Sequence, residues 1–428
     1  MDNAPDNDAM MAALSQALRR DFRLQYDPIH HRIRCQGHII NLAVKSFLFV
    51  TDKEVLDEDE EANIYNVTLK EIEEWRNKGP LGKLHNFLVF LAASTQRLHD
   101  FLELSCNHRI PRDNTTRWNS WFMMLQMAWA LRDVVDNFIS VHGTPDLQND
   151  KLTDMEWSTV RVIKDFLEKL AMSTKACESQ ESTLDLSLPC TDYILALFER
   201  YKDEYKDAPT FATMFNSGWA KMEKYYKLSD KTPAYVAGIV LHPGRKWKWI
   251  EKHWKPEWVQ PAKDKMKLFW ETKYKPAAIT IASSSTTQSS TSAAEKAPNE
   301  YLKWLDDNDD DDPLADEYAR YIAQPQVTGV KQGYKWWLEP TQQKNFPNLS
   351  KMALDILSIP AMSADPERLF SGAKITISDR RNRLGIYTIE ALECLKSWLK
   401  IETFLDDDED DFGIEEGNTE DPGQRRVI

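Results

Sequence analysis

A chain of 428 residues with 42% apolar residues is long enough for two or more domains with real cores. No apolar run reaches membrane-span length, no signal-peptide pattern opens the chain, and five scattered cysteines without a CxxC fit a reducing compartment, so the expectation is a soluble intracellular protein. The net charge of −14 opposes nucleic acid, but much of it lies in Asp306-Asp307, Asp309 to Asp312 and Asp406 to Asp411, which leaves room for a basic groove elsewhere.

Met1 to Asp8 reads as a polar turn and helix cap, and an amphipathic helix follows through Met10, Leu14, Leu18 and Phe22. Arg32-Ile33-Arg34 is short and β-capable, and Ile39 onward reads as a buried helix with Leu42, Phe47 and Leu48. Cys35 and His38 have the spacing of half a zinc site, yet no second pair stands at a suitable distance. On spacing alone His38 is a helix-start histidine packed on the core. Residues 54–104 are helical and charged, broken by Gly79-Pro80-Leu81-Gly82, with Leu84, Phe87, Leu88 and Phe90-Leu91 on the buried side of the second helix. Lys83 and Arg97 either face phosphates or are simply solvated. Asn114 or Thr115 caps a long helix through Trp121, Met124-Leu125, Ala128, Leu131, Val135 and Phe138, with Trp118 near its start as a core aromatic.

Helical periodicity continues to Lys275, interrupted at His242-Pro243-Gly244. Arg245 to Lys255 then interleaves basic residues, Lys248 among them, with indoles. That is either a nucleic-acid surface or an amphipathic helix with core Trp and solvated Lys. Ser283 to Ser292 and the acidic run from Asp306 read as linker, with short helices expected at Tyr301–Leu305 and Leu314–Ile322. Trp336-Trp337, Phe346 and Met352 to Leu357 return to the fold. In Ser358 to Ser371, Ser363 or Asp365 caps a helix opening at Pro366, and Glu367 in its first turn either complements the dipole or ligates a metal; spacing alone favours the former. A last helix spans Thr388 to Leu399, with Ile389, Leu392, Leu395 and Leu399 along one side.

The run from Trp336-Trp337 through Ile359-Pro360-Ala361, Ser363, Glu367-Arg368, Phe370-Ser371 and Arg381-Asn382-Arg383-Leu384 resembles the C-terminal region of hAT (hobo–Activator) transposases, above all the fungal branch. Arg34 to Leu42 and Asp113 to Ser120 are two further blocks in family order, and the likeness runs roughly from Asp2 to Lys400. It implies DNA strand cleavage and transfer by an Asp-Asp-Glu triad holding Mg²⁺ or Mn²⁺ on a ribonuclease H-like core. By the match Asp2 is the second carboxylate and Glu367 the third, both metal ligands. The strands before Asp2, the first Asp and the upstream zinc-finger module have no counterpart here. His38 would contact a phosphate or orient a carboxylate. Arg117 and Trp118 match an Arg-Trp pair whose Trp stacks on a flipped base, and Arg368 joins Lys248 as a DNA contact.

The resulting expectation is a mainly α chain. A truncated ribonuclease H-like core with few short strands occupies residues 1–120, and an all-helical insertion 121–278. A linker spans 279–332, a C-terminal dimerisation region completing the core 333–403, and an acidic tail 404–428. A strand is expected at Arg32–Cys35, with exposed apolar surface near residues 1–40. The partners are a second copy of the chain and transposon-end DNA, with neither membrane nor small molecule, in the nucleus. The resemblance implies a remnant that is catalytically incomplete by itself; a domesticated DNA- or protein-binding dimerisation module is the alternative.

Overall fold

The structure, a computed structural model, describes residues 5–49, 69–113, 118–179, 181–276, 316–363 and 385–407. Residues 1–363 form one compact unit and residues 364–428 a second. Every regular element among the described residues is helical, apart from one isolated antiparallel bridge between Thr183 and Pro360.

In the first unit α1 spans Pro5–Phe22, α2 Gln36–Leu48, α3 Leu69–Arg76, α4 Pro80–Ala92 and α5 Thr95–Leu104. Next come α6 at Trp118–Ala130, α7 at Arg132–His142, α8 at Asp154–Cys177, α9 at Ser187–Glu204 and α10 at Pro209–Ser229. The unit closes with α11 (Ala234–Leu241), α12 (Lys246–His253), α13 (Pro256–Lys273), α14 (Glu317–Ala323), α15 (Gly333–Leu338), α16 (Pro340–Asn345) and α17 (Pro347–Leu357). Local chemistry sets several boundaries. The longest helix, α8, opens on a reciprocal capping box between Thr153 and Glu156. Proline stands in the first turn of α4, α10, α13, α16 and α17, where its missing N–H costs nothing. Gly79, at φ 72°, turns the chain from α3 into α4.

Aromatic clusters mark the cores. Phe87, Phe101 and Phe138 meet edge to face, joining α4, α5 and α7 with ring centroids 5.6–6.1 Å apart. Phe47 of α2 packs on Phe166, Phe198 and Phe215 of α8, α9 and α10. Gly218 makes this possible, because a Cβ there would stand 2.5 Å from Phe198 Cε1. A third core gathers Trp270, Tyr321, Trp337, Phe346 and Leu349 around α11. Its buried polar groups are satisfied: Trp337 Nε1 donates to Leu241 O at 2.7 Å and Tyr321 Oη to Val240 O at 3.2 Å.

Several expectations change on contact with this packing. Arg32–Cys35 is a loop, not a strand, and no strand occurs among the described residues. No neighbouring strand offers a ladder there; instead the Tyr235 hydroxyl lies 3.0 Å from Arg34 N and 3.5 Å from Arg34 O, serving both backbone groups. On α1 the expected apolar row is rotated out: Met10, Leu14 and Phe22 are exposed, while Met11 is buried. Two tertiary ties hold that rotation, Ser15 Oγ to Tyr26 O at 2.5 Å and Arg32 Nε to Asp8 Oδ1 at 2.8 Å. With exposed Leu24 and Ile29 these side chains form the apolar surface expected near the start of the chain. The expected long helix from Trp118 breaks at Leu131 into α6 and α7. Residues 316–332 are folded, with Tyr321 buried and Glu317 Oε2 accepting from Asn348 N and Leu349 N at the start of α17. The Tyr301–Leu305 helix lies outside the described residues.

The second unit shows one helix, α18 at Ile386–Asp407, longer at its C-terminal end than expected. Along it Tyr387, Leu395, Trp398 and Leu399 are exposed, while Ile389 and Leu392 are half-buried.

Candidate functional site

Helix α2 is where the three motif blocks of the sequence meet. Cys35, just before its first turn, makes no side-chain cap. Its Sγ instead accepts the Ser363 backbone N–H at 3.4 Å, and Gln36 N–H donates to Ala361 O at 3.3 Å. A segment near the opposite end of the chain thus satisfies a free donor at the start of the helix. Gly37 allows the approach, since a Cβ at that position would meet Met362 Sδ at 3.2 Å. On its other side the same segment is held by Leu184 N to Ile359 O at 2.8 Å and Ala361 N to Ser182 O at 3.1 Å. Asp185, buried next to that bridge, accepts from Thr183 Oγ1 and from the Arg245 guanidinium. The chain therefore reaches Ser363 clamped between α2 and the Ser182–Asp185 turn.

The other block docks one turn further along α2. Asn41 Oδ1 accepts the Trp118 backbone N–H at 3.0 Å, seating the start of α6. Ahead of it His85 Nδ1 lies 2.7 Å from the buried Asp113 carboxylate, and the His85 ring stacks on Trp75 at 3.9 Å. Sequence reading did not single out His85 or Asn41 as partners, because each contact spans separate elements and no periodicity reports it. Gln36 Nε2 to Thr191 Oγ1 at 2.8 Å ties the helix to α9.

Of the sequence-predicted site residues, His38 sits half-buried in the first turn of α2, between Cys35 and Asn41. Trp118 is only 4% exposed and presents no ring face to solvent, as the core reading expects. Lys248 is exposed on α12. Asp2, Arg117, Glu367 and Arg368 lie outside the described residues. The described structure thus brings the blocks of His38 and Trp118 together on α2, with the segment that leads towards Glu367, while Lys248 stands on a separate helix.

Charge near α2 is compensated. Asp8 pairs with Arg32 and lies 3.9 Å from Arg34; the Arg32 hydrogen bond holds its carboxyl below the usual carboxylate range. Among the described residues His99, Asp100 and Glu103 bring ligand atoms within 4.8 Å of one another, but on an exposed helix face whose Asp100 already accepts from Gln96.

The interleaved segment divides by side. Trp247 is buried and donates to Tyr318 Oη at 2.9 Å; Trp254 donates to Asp192 Oδ2 at 3.0 Å. Burial raises the Asp192 carboxyl above its ordinary range. Lys246 is buried too, its ammonium on Tyr321 O at 2.6 Å and Gln324 O at 2.8 Å, and desolvation lowers its pKa to about 8. Lys248, Lys252 and Lys255 remain exposed. Trp247 is core and Trp249 and Trp254 pack half-buried against it, while the lysines other than Lys246 are surface.

Comparison with known proteins follows the same order along the chain. Residues 33–166 match the ZBED1 RNase-like helical domain, and residues 317–399 match the hAT family C-terminal dimerisation region. The chain is 26% identical over 422 residues to "Putative transcriptional regulator tpeD" of Talaromyces stipitatus, covering 91% of this chain and 44% of that protein. It is 22% identical over 404 residues to "Zinc finger BED domain-containing protein RICESLEEPER 2" of Oryza sativa, covering 86% and 51%. It is 23% identical over 423 residues to "Putative AC transposase" of Zea mays, covering 93% and 48%. The chain spans about half the length of these curated relatives. With two family matches placed on the blocks that α2 gathers and on the C-terminal region, the chain is a transposase-like protein of the hAT family.

Proposed function

We propose that this chain is a transposase-derived protein that pairs with a second copy of itself through its C-terminal region and holds DNA on its helical surface, in the nucleus. The observation that carries the pairing is the face of α18. Tyr387 is 83% exposed, Trp398 63%, Leu399 55% and Leu395 49%. At about 100° per residue these four fall within one third of the helix circumference. Large apolar side chains grouped on one helix face are the ordinary sign of an interface. The match of residues 317–399 to a dimerisation region supports the same reading.

Strand cleavage in the family needs three carboxylates around two divalent cations. By the family match Asp2 and Glu367 are candidates for the second and third of these, with Mg²⁺ or Mn²⁺ as the implied ions; the proposal itself is pairing and DNA holding. A second reading, a domesticated binding module, draws support from the relative named as a transcriptional regulator.

The test is molar mass in solution. Light scattering on the full chain should give a dimer or larger assembly, and the double variant Leu395→Glu with Trp398→Glu should give monomer with unchanged helix content. A monomeric wild-type chain at micromolar concentration sinks the pairing.

A further inference from the structure

A groove of about 650 Å³ lies between α12, α13 and the stretch from α14 to Gln326. The half-buried Tyr318 and Ile322 line it with Pro325, next to the buried Trp247, and Gln260, Gln324 and Gln326 complete the lining. Cations outnumber acids on the lining: Lys246, Lys248, Lys263 and Lys267 face Glu251 and Asp264. On a chain of net charge −14 that local excess runs against the whole.

The two acids are engaged. Glu251 Oε1 takes Lys263 Nζ at 2.7 Å, and Asp264 Oδ1 accepts from Gln260 Nε2 at 2.9 Å. Lys267 reaches Glu271 only at 4.0 Å, and Lys248 has no ion-pair partner among the described residues. With the Lys246 ammonium held by Tyr321 O and Gln324 O and Lys263 by Glu251, the groove combines an aromatic and apolar wall, amide groups, and Lys248 and Lys267 as the lysines left for an anion. Those are the requirements of a nucleotide with its base and phosphate.

We infer that this groove binds single-stranded nucleic acid, one unpaired nucleotide entering with its base against Tyr318, Ile322 and Pro325 and its phosphate on Lys248 and Lys267. This deepens the DNA-holding part of the proposed function and rests on it. An unpaired strand is favoured over duplex because stacking against an aromatic wall needs a free base face, which a paired base buries in its own stack. Few phosphates are engaged, so the salt dependence is shallow, about 0.7 in log–log slope per phosphate held.

The experiment is fluorescence anisotropy with labelled deoxythymidine oligomers and matched duplex on the full chain. The variants are Lys248→Glu, Lys267→Glu and, as a control for charge change elsewhere, the exposed Lys206→Glu. The expected result is tighter binding of single strand than duplex, with a loss of about tenfold or more in each groove variant and little change in the control. As an independent readout, a photoreactive oligomer should cross-link within residues 246–251, 260–267 or 318–326. Binding that is equally lost in Lys206→Glu, or cross-links confined to other segments, overturns the groove while leaving DNA holding in place. No binding of either nucleic acid overturns both.

Discussion

Cys35 Sγ receives the backbone N–H of Ser363 at 3.4 Å across 328 residues of sequence. Together with the Gln36 to Ala361 hydrogen bond it closes the first turn of α2 onto the segment that runs towards Glu367. Gly37 is the permissive position. Gly37→Val brings two methyl groups to where Met362 Sδ now stands 3.2 Å from an added Cβ, so Ala361–Ser363 should lift from α2. Limited proteolysis should cut between residues 358 and 366 faster in the variant, with only a small fall in overall stability. An unchanged cleavage pattern would show that the turn does not govern the segment.

The cysteines differ in access. Cys35, Cys177 and Cys190 are buried, Cys106 and Cys394 exposed. The neighbouring Cys190 sulfur, and then burial, push the Cys177 thiol up, away from the reactive thiolate. Titration with an aromatic disulfide reagent should therefore show two fast thiols, and the other three only on unfolding. Mass mapping identifies them.

Gly218 sits where α10 meets Phe198 and Phe47. A methyl group added there lies 2.5 Å from Phe198 Cε1 and 3.0 Å from Phe47 Cβ. Gly218→Ala should cost about 1–3 kcal/mol by overpacking, although alanine is the better helix former. Urea unfolding measures it; a neutral or stabilised variant would mean that the four-ring cluster yields readily.

Arg76 holds the buried Asp150 carboxylate through two hydrogen bonds, 2.8 Å from Nε and 2.9 Å from an Nη nitrogen, with Asn86 Nδ2 at 3.3 Å as a weaker third donor. Arg76→Ala leaves the charge buried with one donor and should cost about 3 kcal/mol. The Arg76→Ala/Asp150→Leu double variant should recover part of that loss, because the uncompensated charge goes with its partner. Two additive losses would contradict the pairing.

Lys246 supplies a pH dependence whose sign is set by burial. Its folded pKa of about 8 lies below the ordinary 10.5 of lysine, so the unfolded chain binds more protons between those values. Stability from this residue therefore rises as pH climbs through that window, and burial of the ammonium is a cost below it. Lys246→Met loses the donors to Tyr321 O and Gln324 O but also this dependence. The wild type should gain stability relative to the variant from about pH 8 to pH 10. A constant difference would place the ammonium in effective contact with water.

Much of the helical content was readable before folding. The breaks at Gly79 and His242-Pro243-Gly244 and the burial of Phe87, Phe138 and Trp337 follow from turn chemistry and apolar periodicity. The site was less legible. Trp118 and Trp247 carry the residue type of nucleic-acid stacking, yet both are buried, and sequence cannot say which side of an amphipathic helix an indole takes when both sides hold large residues.

The sequence by itself determined that this chain is a helical member of the hAT family, because its motif blocks and 3.6-residue apolar periodicity are local properties written in consecutive residues. Tertiary structure alone decided that α1 turns Met10 and Leu14 to solvent, that Arg32–Cys35 is a loop, and that Cys35 meets Ser363. It also opened a lysine-rimmed groove beside Trp247. Each of these depends on partners 11 to 328 residues away: Tyr26 for Ser15, Tyr235 for Arg34, Ser363 for Cys35, Tyr318 for Trp247. Hydrogen-bond demand can be read along a chain, but which distant group satisfies it is settled only when the helices pack.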